Sequence, residues 1–166
     1  MNEKKSTEIR IRGADANDVQ VILAFVSELA EYEHLSHLVT ATESKLRETL
    51  FGAHPGAEVV LAFEGEEPAG FAVFFHNFST FLGVKGLWLE DLFVRPALRG
   101  RGYGKALLLH VARIAFERGC GRLEWSVLDW NAPSIAFYKS LGAQPLDDWT
   151  IMRVTGEALQ DLARME

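Results

Sequence analysis

The chain has 166 residues, a net charge of −6 and 48% apolar residues. That length suits about one domain with a sizeable core. The acidic balance argues against nucleic acid, whose phosphates require clustered Lys and Arg, and suits a cationic substrate. Cys120 is the only cysteine, so no internal disulfide framework forms, and no apolar run follows the first six residues or approaches membrane-spanning length. These features predict a soluble cytoplasmic protein with no signal peptide and no membrane span.

Residues 1–7 are expected to be a flexible tail, followed by a strand over residues 8–12 with Ile9 and Ile11 on one face. Gly13 to Asn17 reads as a turn, with Asp15 or Asn17 as helix cap. The three-four spacing of Val19, Ile22, Leu23, Val26, Leu29 and Ala30 predicts an amphipathic helix over residues 18–33. Its acidic end, Glu28 to Glu33, opposes the helix dipole unless it is solvated or faces a cation. His34 and His37 lack a third ligand nearby, so no metal is expected.

A second helix is predicted from Thr42 to Phe51, stopped by Gly52. Strands follow over residues 57–64 and 69–78, with a hairpin turn at Glu66-Glu67-Pro68. A loop over residues 79–85 precedes a central strand, residues 87–94, apolar except for the adjacent Glu90 and Asp91. Neighbours on a regular strand point to opposite faces; a bulge would bring both carboxylates towards one cleft.

Pro96 ends that strand, and Arg99-Gly100-Arg101-Gly102-Tyr103-Gly104-Lys105 leads into a helix over residues 102–118. Alternate glycines permit tight turning and close backbone approach, and the unpaired N–H groups of a helix start favour an anion. The ligand implied carries a phosphate or pyrophosphate. A Walker A loop does not fit, because Arg99 stands where its first glycine belongs and Ala106 replaces its hydroxyl. A dinucleotide fingerprint does not fit either, because Lys105 occupies the third glycine position. A plain glycine-rich turn between strand and helix is the alternative.

Beyond Gly119 and Gly121, a strand is expected over residues 122–128. Asn131 then caps a short helix with Pro133 in its first turn, ended by Gly142. A last strand is predicted over residues 149–154 and a helix from Gly156 to about Arg164. There are no repeats, low-complexity segments or linkers, so residues 1–166 are expected to form a single domain.

The loop Arg-x-x-Gly-x-Gly at Arg99 to Gly104, and the later Asn-x-Pro-Ser-x-x-Phe-Tyr-x-x-x-Gly at Asn131 to Gly142, together resemble the GNAT (GCN5-related) N-acetyltransferases. The resemblance is nearest to the spermidine/spermine and thialysine acetyltransferase branch and covers most of the chain. It implies an α/β GNAT fold: a mixed, mostly antiparallel central sheet of about six to seven strands flanked by helices. It implies transfer of acetyl from acetyl-CoA to a small primary amine in a ternary complex, and a homodimer.

By resemblance, Leu92, Phe93 and Val94 pair through their backbone with the cofactor arm. Arg99, Gly100, Arg101, Gly102, Tyr103, Gly104 and Lys105 form the pyrophosphate loop, and Asn131, Ser134 and Lys139 are further cofactor contacts. Tyr138 matches the general acid and Glu90 the residue that deprotonates the amine. Tyr32, Glu33, Asp91 and Trp130 match positions around the amine.

The chemistry needs both roles. An alkyl amine of pKa about 10.4 leaves about one molecule in 2,500 nucleophilic at pH 7, so a base is required. A donor near the sulfur helps the thiolate leave. Cys120 has no activating histidine and is not read as a nucleophile. Relatives that acetylate polyamines carry an acidic residue and a tryptophan in the loop before the Leu-Glu-Asp strand. Here that loop reads Phe78-Ser79-Thr80-Phe81-Leu82-Gly83, which disfavours spermidine and spermine. The alternatives from other classes are a non-catalytic acyl-CoA-binding module and a protein-lysine acetyltransferase.

Overall fold

The computed structural model describes residues 9–165, so the expected tail at residues 1–7 lies outside the described residues. The chain divides into two compact units, residues 1–126 and 127–166.

In the first unit, strands β1 (Ile9–Gly13), β2 (Glu58–Glu64), β3 (Glu67–Ser79), β4 (Val84–Val94) and β5 (Leu123–Trp125) form one sheet in sequence order. The first four are antiparallel, and β5 joins β4 in parallel. A parallel neighbour needs a crossover; α3 (Tyr103–Glu117) supplies it.

Helix α1 (Val19–Tyr32) buries Ile22 and Phe25 in a cluster with Val59, Leu61, Phe63, Phe71 and Phe93. Those β2 residues alternate with Val60 and Ala62, which are equally buried, so β2 is covered on both faces. Phe25 stacks on Phe71 at 5.3 Å between ring centroids, a geometry that adds to the area buried.

The cap of this first helical stretch is Asp15. Its carboxylate accepts from Asn17 N at 2.7 Å, while Asp18 accepts from Asp15 N at 2.8 Å, a reciprocal box. Arg12 grips Asp18 through two bonds of 2.7 and 2.8 Å, which holds the Asp18 carboxyl below the usual carboxylate range. Helix α2 (Glu43–Phe51) has Thr42 as its cap, accepting from Lys45 N at 3.3 Å.

Two local expectations change. The β2–β3 turn is Gly65-Glu66, with Glu64 paired to Glu67 and Gly65 at φ +62°. Pro68 therefore lies within β3, at a register shift opposite Phe63, where the ladder tolerates a missing N–H. Gly70 is required by close approach: a Cβ there would stand 2.3 Å from the Phe93 carbonyl oxygen.

In the second unit, α4 (Ala132–Ser140) and α5 (Gly156–Arg164) form where expected. The predicted strand over residues 149–154 does not form, so the sheet has five strands rather than six to seven. The segment has the right residues but no ladder partner among the described residues; Trp149, Ile151 and Met152 are exposed. β5 is also shorter than residues 122–128, pairing at only three positions.

Candidate active site

The first unit builds its part of the site around an irregularity in β4. Across the β3–β4 ladder Val73 pairs with Asp91, and Phe74 pairs with Leu89, leaving Glu90 as an extra residue. This is a bulge, and it disposes the two neighbouring acids outside simple alternation. The β4–β5 ladder ends at the same level, with Leu89 opposite Trp125. From Glu90 to Val94, β4 has no strand partner on that side among the described residues.

The polarity of that open edge follows from the strand period. Arg95 N donates to Ala69 O on β3 at 3.0 Å, so the N–H groups of Leu92 and Val94 point away from β3, to the open side. The Phe93 side chain is buried in the core and its backbone N–H and C=O, by the same alternation, turn towards β3, so Phe93 offers no hydrogen bond to a ligand at the open edge.

Asp91 is half-buried, and its carboxyl is pushed up to about 6 by burial first and then by the charges of Glu90 and Glu33. Glu33, at the C-cap of α1, is itself raised by burial. Glu90 is exposed, and its Oε2 accepts from Trp88 Nε1 at 2.8 Å. Three carboxylates thus share one region, a placement that costs free energy while it is empty and favours a cation.

Next to the open edge stands the start of α3. Its N-cap, Gly102, sits at φ +94° and no side chain caps the helix. Gly100 is at φ +74°, and a Cβ there would meet nothing within 4 Å. The glycines are needed for the left-handed backbone, and the N–H groups behind them are open to an anion.

The arginines are placed differently from a simple cationic cradle. Arg99 Nε donates to the Val94 carbonyl at 2.9 Å, and its guanidinium lies 4.2 Å from the centroid of the Tyr32 ring. Arg101 pairs with Glu64 at 2.8 Å. Tyr103 is buried, so its contribution to the loop is its backbone, while Lys105 remains exposed in the first turn.

In the second unit, buried Asn131 accepts from Ser134 N at 3.3 Å and caps α4. Tyr138 is half-buried beside Phe137, at 5.3 Å between centroids, and burial pushes its phenol up to about 12. Lys139 stands exposed in the last turn, and Trp130 is exposed just before the cap. The site residues therefore fall into two groups: Tyr32 to Lys105 on the first unit, and Trp130 to Lys139 on the second.

Trp88 is the residue that sequence reasoning missed. The signal available was its position two residues before Glu90 on one strand, where side chains share a face.

Residues 24–143 match the sequence model of the Acetyltransferase (GNAT) family. Thialysine N-epsilon-acetyltransferase of Mus musculus is 38% identical over 165 residues, spanning 93% of this chain and 96% of that protein. L-ornithine N5-acetyltransferase of Arabidopsis thaliana is 33% identical over 201 residues, spanning 94% of this chain and 88% of that protein. Among solved structures, an integron cassette protein from the mobile metagenome of V. cholerae superposes with a TM-score of 0.79 at 30% identity, over 95% of this chain and 98% of that one. With the glycine loop, the bulged strand and the helix cap in place, these matches show that the chain belongs to the GNAT family of acetyltransferases.

Proposed function

We propose that this enzyme transfers acetyl from acetyl-CoA to the primary amine of a small cation, a short diamine or a lysine- or ornithine-like amine, by direct attack in a ternary complex. The observation that carries the reading is the β4 bulge, which gathers Glu90 and Asp91 with Glu33 beside an open strand edge.

The residues fit the cofactor. The uncapped start of α3 and the open space at Gly100 suit a pyrophosphate, and the Leu92 and Val94 N–H groups suit an amide-bearing arm. Asn131, Ser134 and Lys139 complete the cofactor contacts in this reading. When bound, acetyl-CoA supplies the reactive thioester.

The chain's own residues do the rest. Asp91 and Glu33, with Tyr32, receive the ammonium group, and Trp130 is assigned to the amine as well in this reading. Glu90 accepts its proton, directly or through water, and frees the nitrogen lone pair. Leu92 or Val94 N–H donates to the reacting carbonyl oxygen. Tyr138 donates a hydrogen bond or a proton towards the sulfur. Relatives that act on thialysine and ornithine support the acceptor class. The β3–β4 hairpin tip, residues 80–83, offers no carboxylate for a distant second charge.

The test is thiol release from acetyl-CoA against a panel of thialysine, L-ornithine, lysine, short diamines, spermidine, an aminoglycoside and a peptide lysine. Release is expected with one or more of the lysine-like, ornithine-like or diamine acceptors and not with spermidine. Release only with the peptide, or with no amine despite tight acetyl-CoA binding, overturns the acceptor assignment.

The family match crosses the boundary between the two compact units, which supports one GNAT domain. A cytoplasmic homodimer belongs to the same proposal. Among the described residues no helix is long and apolar enough to cross a membrane. Phe71 and Phe74 are core, whereas Phe78 and Phe81 are exposed on the hairpin and available to a partner copy. Light scattering behind gel filtration should give twice the chain mass; a monomer at all concentrations rejects the dimer.

A further inference from the structure

We propose that Trp88 is a positioning residue that holds the Glu90 carboxylate in its proton-accepting pose through the indole N–H. The inference rests on the reading of Glu90 as the base.

Glu90 is the extra residue of the bulge, has no partner on β3 and is exposed. An exposed glutamate samples several rotamers, and fixing one has an entropic cost. The bond from Trp88 Nε1 to Glu90 Oε2, at 2.8 Å, fixes one oxygen and leaves Oε1 to accept a proton from the amine or an intervening water. The indole itself is well held. Trp88 is half-buried on the middle rung of the three that join β4 to β5, paired with Phe75 on one side and Glu124 on the other.

Indole suits this role chemically. Its N–H is a donor only, so it never competes with Glu90 for the amine's proton. The other charged groups here do not replace it. Asp91 and Glu33 are acceptors that raise the local negative charge. Glu124 is engaged by Asn77 Nδ2 at 3.0 Å and by Arg122 Nε at 2.7 Å.

The experiment is a double-mutant cycle in the full chain, with acetyl-CoA and thialysine, using Trp88→Phe, Glu90→Gln and both together. Trp88→Phe should lower kcat roughly 10-fold and leave the KM for acetyl-CoA unchanged. In the Glu90→Gln background the same change should have no further effect on kcat, because its target is gone. Losses that multiply in the double variant, or unchanged kcat in Trp88→Phe, overturn the proposal.

A harmless Glu90→Gln, or a wild type inactive with every amine of the panel, removes the base assignment and this proposal with it. That outcome is distinct from a damaging Glu90→Gln with a harmless Trp88→Phe. If Trp88→Phe does not fold, the Trp88 indole resonance decides. Its indole N–H should lie further upfield in Glu90→Gln than in the wild type; the same position in both overturns the proposal.

Discussion

Replacing Tyr138 with Phe should lower turnover by roughly 10- to 10,000-fold, the span expected for one acid-base group, while affinity for acetyl-CoA holds. The substitution removes one oxygen and keeps the ring that packs at 5.3 Å from Phe137, so the fold of α4 should survive. With its phenol pushed up to about 12 by burial, Tyr138 is protonated throughout the working range. It is therefore always a donor. The departing thiol has a pKa near 8.5, so a full early proton transfer runs uphill, and a hydrogen bond that strengthens as charge develops on sulfur is the physically favoured contribution. A corollary follows for the rate profile: below about pH 10 its shape should be unchanged in Tyr138→Phe, although its height falls. Unchanged turnover in steady-state kinetics takes Tyr138 out of the mechanism.

Asp91→Asn should do two things of opposite benefit. It should raise the KM for a cationic amine at neutral pH by removing a negative charge from the cluster with Glu33 and Glu90. It should also stabilise the fold at pH 8. The Asp91 carboxyl is raised from 3.8 to about 6 on folding, so the folded state holds more protons than the unfolded one between those values. Stability from this group therefore falls as pH rises through that window, and the full penalty is present above about 6. The shift corresponds to a penalty on the order of 2–3 kcal/mol at 1.36 per unit. Asn carries none of it. Urea unfolding at pH 8 should show Asp91→Asn more stable than the wild type, with the difference gone near pH 4. A variant less stable at pH 8 rejects the account of a carboxylate strained by burial and by its like-charged neighbours. For the wild type, the same titration predicts that amine KM rises as pH falls through 6, because the receiving carboxylate is neutralised.

The elements of the site are unequally legible in the amino-acid sequence. The strand, glycine loop and helix from Leu87 to Glu117 could be read locally, because Pro96 fixes its own φ, Gly100 and Gly102 permit a left-handed backbone, and the helix period is carried by consecutive residues. The Asn131 cap was readable for the same reason: the acceptor and the Ser134 N–H it serves are three residues apart. The bulge could be posed as a question but not answered, since Glu90-Asp91 leaves the alternation ambiguous and the answer depends on how Val73 and Phe74 count against β4. The side-chain partners of Arg99 and Arg101 were out of reach. Two arginines in a phosphate-type loop suggest two free cations, yet Arg99 is committed to the Val94 carbonyl and the Tyr32 ring, and Arg101 to Glu64, which lies 37 positions away. Residues 149–154 failed for the opposite reason. Their composition suits a strand, but a strand is a relation between two segments, and among the described residues no second segment pairs with this one.

The bulge has a consequence for how this strand tolerates changes in length. Elsewhere along β4, gaining or losing one residue would turn every later side chain to the other side of the sheet and take Phe93 out of the core. At Glu90 the count is already two against one, so dropping a residue there would restore plain alternation and leave Leu89 and Asp91 opposite the partners they now have. A one-residue deletion within β4 is thus tolerated at the place where it alters the chemistry and spares the architecture.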